Sequence, residues 1–310
     1  MIKVLLGIVL AFCIVNYGID FLFYLKNRYC RFHIGRWDEQ EWPAVIERTA
    51  RRWVKHTPTV KITDNSRYML LDFIQGKYRS GSIQSWQKAA LILGLLECND
   101  ERSPVAAEQA VNDLIDDAGM LSFAVLKAAK DPQAVRPAMD YSIELIRKNV
   151  NDYGMISYTG GRDNPEMYVD TLGLTCPFLA LYAQVYHDSQ CEKLAVDQLR
   201  MYHTYGLLAG TALPNHAFNI KSKLPLGVYG WGRGTAWYLI GLVDTYHQLQ
   251  TPEYQAEVLQ WISESAQAYV EYQRTDGGFG SILQREGTYD SSATAAMAWF
   301  YAECATLLKN

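Results

Sequence analysis

Histidine and cysteine are scarce in this 310-residue chain, six of each, and they stand apart from one another. No HxxxH or HExxH pair and no CxxC pair occurs, so neither a dedicated metal site nor a disulfide framework has a pattern to rest on. Cys13, Cys30, Cys98, Cys176, Cys191 and Cys304 read as small apolar residues, which agrees with a reducing compartment without requiring one. Basic excess is absent too: the formal net charge of -4 argues against nucleic acid as the main partner. No stretch alternates in polarity for long enough to predict a sheet. What the chain has in quantity is apolar and aromatic surface, 49% hydrophobic residues with 21 Tyr and 8 Trp. Those rings fit both the filling of a large helical core and stacking against sugars.

The first 25 residues hold a nearly unbroken apolar run, Ile2 to Leu25, interrupted only by Lys3, Asn16 and Asp20. That is about the length that crosses a bilayer. No A-x-A-like site follows it, and in Leu10-Ala11-Phe12-Cys13 a Phe stands where a lipoprotein box wants a small residue, so an uncleaved anchor over residues 1–30 is the expectation. Lys26, Arg28, Arg31 and Arg36 on its carboxyl side outweigh Lys3 and the terminal amine, which predicts the globular part, residues 36–310, in the cytoplasm.

Beyond the anchor the periodicity is helical. Helices are expected at 42–56, 68–76, 85–96, 105–114, 118–130, 134–149, 169–187, 191–204, 235–248, 253–273 and 291–308. Three linkers echo one another: Asp152-Tyr153-Gly154-Met155-Ile156, Tyr205-Gly206-Leu207-Leu208 and Asp276-Gly277-Gly278-Phe279-Gly280 each close a helix with a turn glycine and a hydrophobic residue. Such recurrence suggests helical hairpins stacked pairwise, an all-α (α/α)6 toroid around a central pocket, with an α-solenoid as the structural rival.

The chemistry gathers at a few positions. Trp231-Gly232-Arg233-Gly234-Thr235-Ala236-Trp237 sets two indoles and a guanidinium around two glycines just before an apolar helix, with Thr235 as its expected cap. Beside a helix N-terminus, Trp231, Arg233 and Trp237 suit a sugar bearing a carboxylate; a buried Trp pair with a paired Arg fits the same spacing. Asp117 and Asp170 each stand at or near the start of an apolar helix, where they can divide acid and base work or simply cap. His216 lies in the polar loop before the Trp/Arg stretch, within reach of a substrate or merely solvated. Tyr289-Asp290-Ser291-Ser292 reads as the N-cap of the last helix.

Taken in order, these segments resemble the unsaturated glucuronyl and rhamnogalacturonyl hydrolases, glycoside hydrolase families 88 and 105. The resemblance runs from about Tyr68 to Leu308: a Trp-Gln-x-Ala helix at Trp86, an acid-x-Gly element at Asp117, Val169-Asp170-Thr171-Leu172, Gly206-Leu207-Leu208 with His216, the Trp-x-Arg-Gly-x-x-Trp motif, and a closing Ser-Ser-Ala-Thr-Ala helix. It implies a six-hairpin toroid without metal or organic cofactor that removes a 4,5-unsaturated uronic acid from an acidic oligosaccharide by hydrating its vinyl ether. Asp170 would be the proton donor and Asp117 the residue that tunes it; His216, Trp231, Arg233 and Trp237 would bind the sugar. Thr235 stands where many members have Asn or Gln, and the loop Tyr158-Thr159-Gly160-Gly161-Arg162-Asp163 lacks the His common there. With a membrane anchor, these departures admit a second reading, a sugar-binding or scaffolding component working with polysaccharide-processing partners. A sugar epimerase on the same architecture would want a pair of pocket histidines, and only His216 is placed for it.

Overall fold

The computed structural model describes residues 2–34, 40–57, 60–61, 67–78, 80–111, 114, 119–158, 161–285 and 287–308. Its helices are α1 (Ile2–Ile34), α2 (Trp42–Lys55), α3 (Met69–Ile74), α4 (Ser85–Glu97), α5 (Arg102–Ala110), α6 (Met120–Ala128), α7 (Pro132–Lys148), α8 (Val169–Tyr186), α9 (Ser189–Tyr205), α10 (Gly232–Tyr246), α11 (Pro252–Tyr269) and α12 (Ser291–Leu307). They fall close to the segments that the periodicity predicts. Asp131 and Asp188 start α7 and α9 by accepting backbone N–H bonds from Gln133, and from Gln190 and Cys191, and Pro132 and Pro252 occupy first-turn positions where no N–H is missed.

Two kinds of helix alternate. α7, α9 and α11 carry one apolar face and one polar face, the pattern of helices that lie on a surface. α4, α6, α8, α10 and α12 are apolar nearly all round, and each packs on the next of that set. Twelve of the 18 residues of α8 are buried, with Leu172, Cys176, Phe178 and Leu179 fully enclosed. These five therefore form the inner layer of an α/α toroid, and the amphipathic helices form its outer layer.

The contact of α8 with α10 is made close by glycine. A Cβ on Gly173 would lie 2.7 Å from both the Trp237 ring and its carbonyl oxygen, and one on Gly241 would lie 3.0 Å from the Leu172 backbone. The linker echo is also structural: α7, α9 and α11 are each followed by an antiparallel bridge, Val150 with Ile156, Leu207 with Pro214, and Gly280 with Tyr289. Gly154, Gly210 and Gly277 take positive φ in these linkers. The turn glycine of the middle linker is thus Gly210 rather than Gly206.

Two small sheets depart from the all-helical expectation. β1 (Val60–Lys61) pairs with β2 (Ser80–Gly81), and β3 (Glu166–Tyr168), β4 (Ala217–Asn219) and β5 (Leu224–Leu226) form an antiparallel sheet in the order β3-β4-β5. Strands of two or three residues are too short to show an alternation. Thr235 is not a cap: α10 starts at Gly232 with Trp231 as its N-cap, and the Thr235 hydroxyl donates back to the Trp231 carbonyl at 3.1 Å.

Outside the toroid, α1 is the one helix among the described residues long and apolar enough to cross a membrane, over Ile2–Lys26. The same property is shared by signal sequences.

Gly173→Ala is expected to destabilise the protein by about 1–3 kcal/mol, because the atoms in its way include the Trp237 backbone, which cannot rotate aside. Thermal denaturation reads this, and an unchanged melting temperature would contradict the close α8–α10 contact.

Candidate active site

Four of the expected site residues, Asp170, His216, Trp231 and Arg233, gather at the N-termini of α8 and α10. Asp170 occupies the first turn of α8, directly after β3. In the β3–β4 register Tyr168 faces Ala217, so the next pair outward is Val169 with His216, joined by a bond from the Val169 N–H to the His216 carbonyl at 3.0 Å. The register thereby sets His216 Nε2 3.7 Å from Asp170 Oδ2. That is ion-pair range but longer than a hydrogen bond. Behind this loop the fully buried Tyr202 donates to the Asn215 carbonyl at 2.7 Å, and Gly227, at positive φ, lies against the His216 side chain.

Trp231 and Arg233 arrive from the start of α10. The Arg233 guanidinium lies over the Trp231 ring, 5.4 Å from its centroid, and 3.9 Å from Asp290 at the head of α12. Burial alone would raise the Asp290 carboxyl, but bonds from Ser292 and Ala293, with Arg233 alongside, hold it below the ordinary range. Asp290 therefore does two jobs, capping α12 and steering Arg233, of which only the first is visible in the sequence.

Asp170 is displaced the other way. Burial raises its carboxyl above the ordinary carboxylate range, while the charges of His216 and Arg233 offset part of the rise. A carboxyl so placed holds a proton at higher pH than an exposed one, which is the requirement for a general acid.

From this cluster a row of rings leads into a cleft. Trp231 meets His216 at 5.0 Å, His216 meets Tyr168 at 5.5 Å, and Tyr168 meets Tyr158 at 5.7 Å between centroids. Tyr158 lines a cleft of about 690 Å³ shared with Gln84, Trp86, Asn149, Thr171 and Thr175. Trp237, packed on Gly173, touches the edge of Trp86 at 6.3 Å. Thr171 Oγ1 and Ser157 Oγ, both of cleft-lining residues, are buried without a hydrogen-bond partner. Concave, about equally polar and apolar, with the Trp86 and Tyr158 rings in its wall and hydroxyls and helix N-termini at its border, the cleft matches a polar, ring-shaped ligand. Asp117 lies outside the described residues. Tyr158, Tyr168 and Trp86 were not singled out as binding residues by the sequence; the Trp-Gln motif at Trp86 was the available signal.

The sequence matches the family model of Glycosyl Hydrolase Family 88 over residues 45–305. The chain belongs to that family, and it is a glycoside hydrolase. Solved structures with the same six-hairpin toroid include one described as a possible member of family 105 from Klebsiella pneumoniae, 13% identical, covering 87% of this chain and 76% of that one at a TM-score of 0.67. An unsaturated glucuronyl hydrolase specific for heparin is 14% identical over 86% of this chain and 77% of that one, TM-score 0.63. The unsaturated glucuronyl hydrolase of Streptococcus agalactiae is 16% identical over 75% and 66%, TM-score 0.58. At such identities the likeness is one of fold. Curated proteins gave no match.

The raised Asp170 makes a signed prediction for stability. A group raised in the folded state stabilises it at low pH and loses that contribution as pH rises through the folded value, leaving a buried carboxylate as a cost above it. Asp170→Asn is therefore expected to melt no lower than the parent at neutral pH, with its advantage shrinking as pH falls. A clear loss of stability at neutral pH would make Asp170 a structural residue instead.

Proposed function

We propose that this family 88 hydrolase releases a 4,5-unsaturated uronic acid from the non-reducing end of an acidic oligosaccharide, and that Asp170 is its general acid. The observation that carries this reading is the half-buried Asp170 carboxyl, raised by burial and facing His216 beside a cleft that Trp86 and Tyr158 help to line. Arg233, poised over Trp231 and steered by Asp290, is suited to hold the uronate carboxylate. Trp231, Trp237 and Tyr168 supply flat faces for the sugar, and His216 a polar contact to a ring hydroxyl. Asp117, by family resemblance, tunes Asp170.

The chemistry follows in balanced steps. The Asp170 O–H gives its proton to C4 of the C4=C5 double bond. Water adds to C5 and passes a proton to the Asp170 carboxylate, restoring the acid. The resulting C5 hemiketal opens to a ketone, leaving C1 as a hemiacetal that expels the neighbouring sugar as an alcohol. One water is consumed and the anomeric carbon is never attacked, so carboxylate spacing carries no stereochemical information here.

We further read α1 as an anchor over Ile2–Lys26 that tethers the enzyme to a bilayer, with Lys26 and Arg28 favouring a cytoplasmic toroid. An enzyme so held is suited to editing acidic glycans near a membrane alongside polysaccharide-processing partners.

The test is loss of ultraviolet absorbance of the conjugated double bond across a panel of lyase-generated disaccharides. Asp170→Asn is expected to abolish turnover while retaining sugar binding, and Trp237→Ala to weaken binding chiefly; unchanged turnover in Asp170→Asn removes the assignment. Because the proton must be on Asp170, kcat is expected to fall as pH rises through its raised value, a limb that the Asn variant cannot show. Sugar binding without turnover on any member of the panel would favour the scaffolding role.

A further inference from the structure

The only polar residues between Val4 and Leu25 of α1 that interrupt its apolar run, Asn16 and Asp20, lie on one stripe with Ile19 and Phe23, the face of α1 least exposed to solvent. Asn16 is 3% exposed, whereas Val9, Leu10, Val15, Leu22 and Leu25 are open. The stripe docks on α3. Asp20 accepts from the backbone N–H of Tyr68 at 2.8 Å and of Met69 at 3.0 Å, using one carboxylate oxygen for each. Tyr17 meets Tyr68, and Phe23 lies 6.3 Å from Tyr78, which in turn stacks on Phe73 at 4.1 Å.

We propose that α3 is a second membrane element, a short helix latched to α1 by Asp20, whose Phe73 and Ile74 enter the bilayer at the boundary of headgroups and acyl chains. This rests on reading α1 as a membrane anchor. Polar groups within a span face protein rather than lipid, and among the described residues Asp20 meets that requirement at the head of α3. Asp20 precedes Lys26 by six residues, about 9 Å along the helix axis, which places the latch just inside the level where Lys26 and Arg28 meet the phosphates. At that depth α3 buries Met69 against the protein and leaves Phe73 and Ile74 at 48% and 66% exposure, with Tyr68 at 50%. Apolar side chains on the outer side of a helix held against a span meet lipid, and Tyr68 suits the interface.

The full chain, carrying the photo-cross-linker p-benzoyl-phenylalanine at one position at a time, would be reconstituted in phosphatidylcholine–phosphatidylglycerol vesicles containing a traceable lipid. Position 9 reports on the anchor, position 73 on α3, and position 141, an exposed Tyr on α7, on background. Lipid adducts are expected at 9 and at 73, at least about fivefold above those at 141. In the Asp20→Ala background the adduct at 73 should be lost while that at 9 persists; Asp20→Asn, which keeps one of the two accepting oxygens, should retain the adduct at 9 and leave that at 73 above the Asp20→Ala level. Adducts at 9 without any at 73 above background overturn the role of α3 and leave the anchor standing. Adducts at neither position overturn both readings. An adduct at 73 that persists in Asp20→Ala overturns the latch.

Discussion

Withdrawal of one carboxyl group from water, Asp170 at the head of α8, is the interaction on which the proposed chemistry depends. α8 is apolar on nearly every side because it sits in the inner layer against α6, α9 and α10, so its first turn opens where the packed core gives way to the cleft. A carboxylate there loses hydration and is raised, and the same burial makes the flanking charges of His216 and Arg233 effective. The close α8–α10 approach at Gly173 and Gly241 brings the Trp231/Arg233 turn to the same end of the toroid. Fold and site are in this sense one arrangement, a ring of helix N-termini converging on a half-dry acid.

The contribution of the outer layer is positional. α7, α9 and α11 each hand the chain to an inner helix through a linker with a left-handed glycine and an antiparallel bridge, so α8, α10 and α12 all begin at the same end of the fold. Asn151 and Gln198 bond the backbone of the first of these linkers, and Tyr202 secures the loop that carries His216. The polar residues that hold the site in place thus come mostly from loops and outer helices, and the reactive ones from the first turns of the inner helices.

Much of this was legible in the sequence where the physics is local. Helical periodicity, turn glycines and caps lie within a few residues of one another, and the boundaries of α4, α7, α8 and α12 follow from them. Trp231, Arg233 and Trp237 are within one turn or two of each other and could be grouped by eye. The partnership of Asp170 with His216 could not, because it depends on a three-residue strand pairing across some fifty residues, and Arg233 meets Asp290 across a comparable gap. Asp20 was visible as an interruption in an apolar run, but its partner, the backbone at the head of α3, meets it only in three dimensions.

The most direct test of the central claim is where the solvent proton goes. Turnover of an unsaturated disaccharide in deuterium oxide, stopped early and examined by proton NMR, is predicted to give a product with one deuterium at C4 in a single stereochemical position. Release of a monosaccharide that still carries the C4=C5 double bond, or a product with deuterium scattered over both C4 positions, would mean that the bond at the anomeric carbon is broken directly, and the role given to Asp170 as the donor to the ring double bond would be wrong.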